Sequence, residues 1–399
     1  TGGYGLLEKR RDKKGRILKN GESRRKDGRY LYKYVDSMGT TQYAYSWKLV
    51  ATDSVPKGKR NGLSLREKEQ EIYRDIADGI NTAGKKITVC QLYAKQNEHR
   101  ANVKKSTKIQ RQYLMKILQD DKLGAKPIDS VKLSDAKEWA IRMKKNGFAY
   151  KSINNYKRTL KASFYIAIQD DLIRKNPFDF KLSEVLEDNT EPKQALTEEQ
   201  EEKLLNFVKH DKVYQKYYND IVILLKTGLR ISELCGLTIK DVDFDNEVIH
   251  VTHQLLGNKN VGYYIETPKT KSGIRDIPMS DEVIRALKRV IESDRYKHRK
   301  AIEIDGYKDF LFLNGKGYPM TGVCYVITFG NLIKKYNKKH ADNLPKITPH
   351  VLRHTFCTRL ANKNINPKSL QYIMGHANIS ITLNLYAHAS LEGMKAEIK

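Results

Sequence analysis

The sequence predicts a multidomain protein: a small N-terminal module of β-sheet plus helix, an all-α middle domain, and a mixed α/β, mainly helical, C-terminal domain. Three observations predict it. Two-residue alternation of apolar and polar side chains is confined to the N-terminus and the C-terminal half, helical three-and-four spacing fills the middle, and an acidic, proline-containing stretch follows that middle.

In the first module Tyr30, Tyr32 and Tyr34 alternate with Leu31, Lys33 and Val35. After a turn at 36–39, Tyr43, Tyr45 and Trp47 alternate with polar neighbours, so an antiparallel sheet is expected, with a first strand near 16–19. Ser64 and Glu67 form a capping box, and Leu65, Ile72, Ile76 and Ile80 follow at helical spacing. Residues 8–82 therefore read as one basic module. The middle domain, 83–180, reads as four helices: near 88–97, near 107–123, from Ser134, and from 152 to about 170. The fourth carries Lys151, Asn155, Arg158 and Lys161 near one side, opposite Ile153, Tyr156, Leu160 and Phe164. Alone, such a stripe is equally the solvated face of a bundle. Asn176-Pro177 stops the segment, and 181–195 reads as a linker. The third domain, 196–386, opens with helices at 197–208 and 214–226. A strand pair at 248–253 and 263–267, a strand at 276–279, and further helices from 280 onwards follow.

With 399 residues and a formal net charge of +27, the chain is too basic for an ordinary metabolic enzyme and calls for a polyanionic partner. The charge is spread: residues 1–60 hold 16 Lys/Arg against 6 Asp/Glu, and basic side chains continue to the end, which fits a long DNA track better than a localisation signal. The hydrophobic share of 39% is enough to build cores. Cys90, Cys235, Cys324 and Cys357 show no paired metal-ligand spacing and read as reduced core thiols of a cytosolic protein. No apolar run approaches a membrane span and no signal-peptide core is present, so a soluble cytoplasmic protein is expected. Thr1–Leu7, which opens without an initiator Met, reads as a remnant of expression.

Exchange of one phosphodiester for another needs a nucleophile, positive groups on the non-bridging oxygens and a proton source for the leaving alkoxide. Thr227-Gly228-Leu229-Arg230-Ile231-Ser232-Glu233 places an arginine at a helix start, with Glu233 one turn on to hold its guanidinium. His350 and Arg353, three residues apart, share a helix face and can reach one phosphate. His376 follows Gly375, and Tyr386 lies ten residues further on. Each alone is an ordinary structural feature: a helix entry, a chance pair, a capping histidine, a packed aromatic.

In combination, the order Arg…Lys…His-x-x-Arg…Gly-His…Tyr resembles the tyrosine recombinase (phage integrase) family. The three-part layout is similar too. The stretches Glu8-Lys-Arg-Arg-Asp12, Gly28-Arg-Tyr-Leu-Tyr-Lys33 and Gln371-Tyr-Ile-Met-Gly-His-Ala-Asn-Ile379 look most like integrases of conjugative transposons. The resemblance implies a DNA strand transferase, independent of metal, ATP and any cofactor, that excises and integrates a mobile element through a 3′-phosphotyrosyl intermediate and a Holliday junction. It implies Tyr386 as nucleophile, Arg230 and Arg353 as phosphate clamp, His350 as proton acceptor, and His376 as hydrogen-bond donor. For the leaving-oxygen lysine, Thr267-Pro-Lys269-Thr-Lys271-Ser-Gly-Ile-Arg275-Asp-Ile-Pro278 offers Lys269, taken as the acid, and Lys271, kept as a DNA-contacting alternative. Lys151, Asn155, Arg158, Lys161, Lys271 and Arg275 are the expected DNA contacts.

The first module would be an arm-type DNA-binding domain, the second a core-binding domain of SAM-like type and the third the catalytic domain. The tail 387–399, with Leu391, Met394 and Ile398 on one helical face, would dock in trans and link a homotetramer on double-stranded DNA at core and arm sites. An excisionase and host DNA-bending proteins are the accessory partners implied. Two alternatives remain at this point: a type IB topoisomerase-like enzyme, and a non-catalytic DNA-binding regulator on the same scaffold.

Overall fold

The computed structural model describes residues 10–36, 39–77, 87–100, 102–190, 194–258, 262–268 and 270–386. The chain divides near residue 191 into two compact units.

In the first unit, strands β1 (Glu22–Arg24), β2 (Tyr30–Val35) and β3 (Thr41–Ser46) form an antiparallel sheet in the order β1-β2-β3, with Tyr30 opposite Ser46 and Tyr32 opposite Ala44. The inward face of this alternation, Tyr30 and Tyr32, packs with Leu49 and with Leu65 and Ile72 of helix α1 (Leu65–Ala77). Glu67 caps α1 as expected, its carboxylate accepting the Ser64 N–H at 2.8 Å. The first strand differs from expectation. Residues near 16–19 form only an isolated bridge, Arg11 to Ile17, because Asp12 gathers Arg16 into a tight turn by side-chain and backbone bonds at 2.7–2.9 Å. The ladder starts at Glu22, after Gly21 at φ +82°, where a Cβ would meet the Lys33 carbonyl at 2.6 Å. Ile80 lies outside the described residues.

The helices of the middle segment are α2 (Val89–His99), α3 (Lys105–Gln119), α4 (Leu133–Lys145) and α5 (Tyr150–Gln169). Their apolar stripes meet in one core built on Tyr93, Leu114, Leu118, Trp139, Ile153, Leu160, Phe164 and Phe178. α3 ends earlier than its spacing suggests, because the chain must fold back at Gly124, where a Cβ would collide with the Leu118 carbonyl.

The second unit opens with α6 (Glu198–His210), α7 (Tyr218–Thr227) and α8 (Ile231–Gly236). Strands β4 (Val242–Asp243), β5 (Val248–Val251) and β8 (Arg275–Pro278) form one antiparallel sheet in the order β4-β5-β8, and β6 (Gln254–Asn258) with β7 (Gly262–Glu266) forms a separate hairpin. The expected pairing of 248–253 with 263–267 is thereby corrected. His253 turns inward to hydrogen-bond the Gly236 carbonyl at 2.8 Å, which breaks the strand and redirects β5 to β8. Helices α9 (Asp281–Glu292), α10 (Asp294–Lys297), α11 (Gly322–Lys339), α12 (Pro349–Asn362), α13 (Pro367–Met374) and α14 (Ile379–Tyr386) complete the unit. Its core runs from Leu204 through Ile223, Leu234, Ile277 and Leu287 to Phe329 and Leu352. The cysteines are free, but Cys324 is exposed on α11 rather than in a core, while Cys235 and Cys357 are buried. Among the described residues no helix is long and apolar enough to cross a membrane.

Candidate active site

The site is assembled where the end of α7, the starts of α8 and α12 and the end of α13 meet in the second unit. Helix α7 stops at Gly228, whose φ of +64° suits glycine, and a Cβ there would lie 2.5 Å from the Phe356 ring and 2.9 Å from the Met374 sulfur. The close approach brings the start of α8 against α12 and α13. Arg230 occupies the N-cap of α8, and Glu233 holds it twice: the carboxylate accepts the Arg230 backbone N–H at 2.8 Å and Nη1 at 2.6 Å.

Helix α12 begins with Thr348 as N-cap and Pro349 at its first turn, the residue pair that favours a helix start. His350 stands exposed on that turn, and Arg353 follows one turn later, buried, with Nη1 donating to the Gly228 carbonyl at 2.5 Å and Nη2 to the Met374 carbonyl. Burial, and then Arg230, hold the Arg353 pKa down to about 9.

Helix α13 ends on Gly375 at φ +60°, leaving its last carbonyls without helical partners. Three consecutive carbonyls each accept from an arginine: Ile373 from Arg275 Nε at 2.6 Å, Met374 from Arg353, and Gly375 from Arg230 Nη2 at 2.8 Å. The partial negative charge of a helix C-terminus favours cations, so this end gathers three guanidinium groups that would otherwise repel. His376 comes next. Its Nδ1 lies 3.0 Å from the Thr382 hydroxyl, and burial, then Arg353 and Arg230, push its pKa down to about 4.

Tyr386, at the end of α14, packs with Phe356, Leu360 and Ile365 against the small core of Cys357, Ala361, Leu370 and Met374. Its hydroxyl donates to the Ile365 carbonyl at 2.5 Å. Burial and then Cys357 raise its pKa.

The structure thus brings Arg230, Arg353 and His376 to one helix end, with His350 on the same helix as Arg353 and Tyr386 on the packed flank. Lys269 and the tail residues Leu391, Met394 and Ile398 lie outside the described residues. Lys271, exposed, opens the turn Lys271–Gly273 ahead of β8, and Gly273 at its end is buried. Arg275 corrects an expectation. The sequence pattern suggests a DNA contact, but the side chain is fully buried, and Nη1 and Nη2 donate to the two oxygens of Glu233 at 3.1 and 2.9 Å. The signal was available: Arg275 shares the inward face of its strand with Ile277, two residues on. Thr382, fully buried behind His376, carried no signal of its own.

Glu233 is itself nearly inaccessible; burial opposes its ionisation, but Arg275 and Arg230 pull its pKa below the ordinary carboxylate value. In the first unit Lys151, Asn155 and Arg158 are exposed on α5, and Lys161 is partly tied up by Asp179 at 2.5 Å. Asn155 and Arg158 line a cleft shared with Arg100 and Arg111. Among the described residues no group of His, Cys, Asp and Glu is arranged to hold a metal ion.

Comparison with known proteins gives consistent matches. Residues 194–392 match the phage integrase family, and residues 6–76 match the DNA binding domain of Tn916 integrase. The chain is 64% identical over 394 residues to the transposase from transposon Tn1545 of Streptococcus agalactiae, covering 99% of this chain and 97% of that protein. It is equally similar, 64% over 394 residues with the same coverage, to the transposase from transposon Tn916 of Enterococcus faecalis. Among solved structures, the Tn1549 transposon integrase in complex with a circular intermediate DNA matches with a TM-score of 0.74 at 64% identity, over 78% of this chain and 98% of that one.

Proposed function

Because the chain belongs to the phage integrase family, and is a site-specific tyrosine recombinase that cuts and rejoins DNA to move a mobile element, we propose that the α13 helix end is its phosphate site and Tyr386 its nucleophile. The observation that carries the reading is the convergence of Arg230 and Arg353 on the adjacent carbonyls of Gly375 and Met374, one and two residues before His376.

A guanidinium has five N–H donors, so each clamp arginine keeps hydrogens for a phosphate beyond the bonds that fix it. Tyr386 attacks the scissile phosphorus, its proton passing to His350. The bond from phosphorus to O5′ breaks, and Lys269, or Lys271 in its place, protonates the leaving oxygen. Arg230 and Arg353 take the two non-bridging oxygens as charge grows on them. The Thr382 hydroxyl lies 3.0 Å from Nδ1 of His376, and the tautomer in which Nδ1 accepts that hydroxyl is the one that presents Nε2–H to the phosphoryl group. In the return step a 5′-hydroxyl attacks the phosphotyrosine and Tyr386 regains its proton. One phosphate ester replaces another at each step, so no nucleotide is consumed.

In this reading residues 8–82 hold arm-site DNA, 83–180 hold core-site DNA through Lys151, Asn155, Arg158 and Lys161, 196–386 carry the chemistry, and the tail 387–399 docks on a neighbouring copy within a tetramer. Binding of the Tn1549 integrase to circular intermediate DNA supports double-stranded DNA as the partner. An excisionase and DNA-bending proteins complete the assembly, and the protein acts in the cytoplasm at the nucleoid. The test is a nicked crossover-site duplex that traps the intermediate: the protein should accumulate a 3′-linked covalent adduct in EDTA without nucleotide. Loss of the adduct on chelation, or linkage to the 5′ end, would overturn the reading.

A further inference from the structure

One buried side chain ties together every segment of the site except α12 and α14. Arg275, on β8, donates from Nε to the Ile373 carbonyl at 2.6 Å, from Nη1 to the Gly273 carbonyl at 3.0 Å, and from Nη1 and Nη2 to the carboxylate of Glu233 at 3.1 and 2.9 Å. Each acceptor belongs to a segment that carries a site residue. Glu233 holds Arg230; Gly273 closes the turn that begins with Lys271; Ile373 precedes the carbonyls that hold Arg353 and Arg230. The segments are also in close contact at Gly375, where a Cβ would lie 3.0 Å from the Ser272 carbonyl, 3.1 Å from Arg275 Nη1 and 3.3 Å from Arg230 Nη1.

Fold stability alone does not account for this arrangement. A fully buried ion pair is commonly no more stabilising than apolar side chains of the same volume, because desolvation offsets its attraction. What the planar fork supplies is direction, four bonds at fixed angles to three separate chain segments.

We infer that Arg275 is a positioning residue of the recombination site, fixing the Arg230 helix start, the lysine-bearing turn and the carbonyl end of α13 against one another so that both clamp arginines aim at one phosphate. The inference rests on the assignment of Arg230 and Arg353 as that clamp. Arg275 touches no DNA in this role, and its effect falls on the cleavage rate and not on DNA affinity.

The experiment compares the full chain with its Arg275→Lys variant in single-turnover cleavage of a nicked crossover-site duplex, with the scissile group either a phosphodiester or an uncharged methylphosphonate. Lysine keeps a charge opposite Glu233 but loses the fork. DNA affinity should stay within about twofold, while phosphodiester cleavage should fall about 100-fold, the scale of a 1 Å misplacement. On the methylphosphonate, which asks less of a charged clamp, the deficit should shrink at least about tenfold. A deficit equal on both substrates, or near wild-type cleavage of the phosphodiester, overturns the inference. Should the lysine variant not fold, the double variant Arg275→Gln/Glu233→Gln, which leaves neither charge buried alone, carries the same comparison with the same outcomes. Arg230→Lys is run alongside. If its own deficit does not shrink on the methylphosphonate, the clamp assignment fails first and the role of Arg275 falls with it.

Discussion

The Tyr386 hydroxyl donates to the backbone carbonyl of Ile365 at 2.5 Å, so in this conformation the phenol is held by a neutral acceptor. Its pKa is raised, by burial and then by Cys357. A nucleophilic role for Tyr386 requires the phenol to leave the Ile365 carbonyl when DNA is engaged. Without DNA, a tyrosine-directed electrophile should label Tyr386 no faster than exposed tyrosines such as Tyr43 and Tyr113. Peptide mass spectrometry of the labelled protein checks this, and preferential labelling of Tyr386 in the free protein would contradict it.

Arg230→Lys should lower cleavage by about 100- to 1000-fold, the cost of one lost donor to a developing oxyanion. The fold should survive, since Arg230 is partly exposed and Glu233 keeps Arg275 as its partner. Single-turnover cleavage beside a melting curve separates the two effects; near wild-type cleavage would reduce Arg230 to a helix cap.

His376 should impose a pH dependence on stability. Its pKa in the fold is about 4 against an ordinary 6.5, so between these values the unfolded chain binds a proton that the folded chain does not. Stability then falls as pH drops through that window. Between pH 7 and 4 the melting temperature of the protein should fall relative to that of His376→Asn, which has no imidazole to titrate. Parallel curves would place His376 in an ordinary environment.

Deletion of residues 8–82 should leave cleavage of a core-site oligonucleotide intact and abolish binding to a separate arm sequence. Loss of core cleavage in the shortened chain would show that this sheet and α1 serve the catalytic reaction directly.

Spacing made some of this legible and not the rest. Arg230 after Gly228, and His350 with Arg353, are set by helix geometry, and three-residue spacing on a helix places two side chains together wherever the helix docks. The tyrosine alternation of β2 and β3 is similarly local. The ion pair that buries Arg275 is not legible in the sequence, because it depends on Glu233, forty-two positions earlier in the chain. The break of the strand after Val251 is hidden for a related reason: the turn of His253 toward Gly236 is a tertiary contact with no periodic signature. The hold of α13 on three arginines is carried by backbone carbonyls, which no side-chain pattern can reveal.

The most direct measurement is covalent capture on a nicked crossover-site duplex, with the DNA-linked peptide identified by mass spectrometry in the protein and in Tyr386→Phe. The expected result is a single adduct at Tyr386 in the protein, and in the variant no adduct with DNA affinity nearly unchanged. An adduct that persists in Tyr386→Phe, or maps to another residue, would contradict the assignment of Tyr386 as the nucleophile.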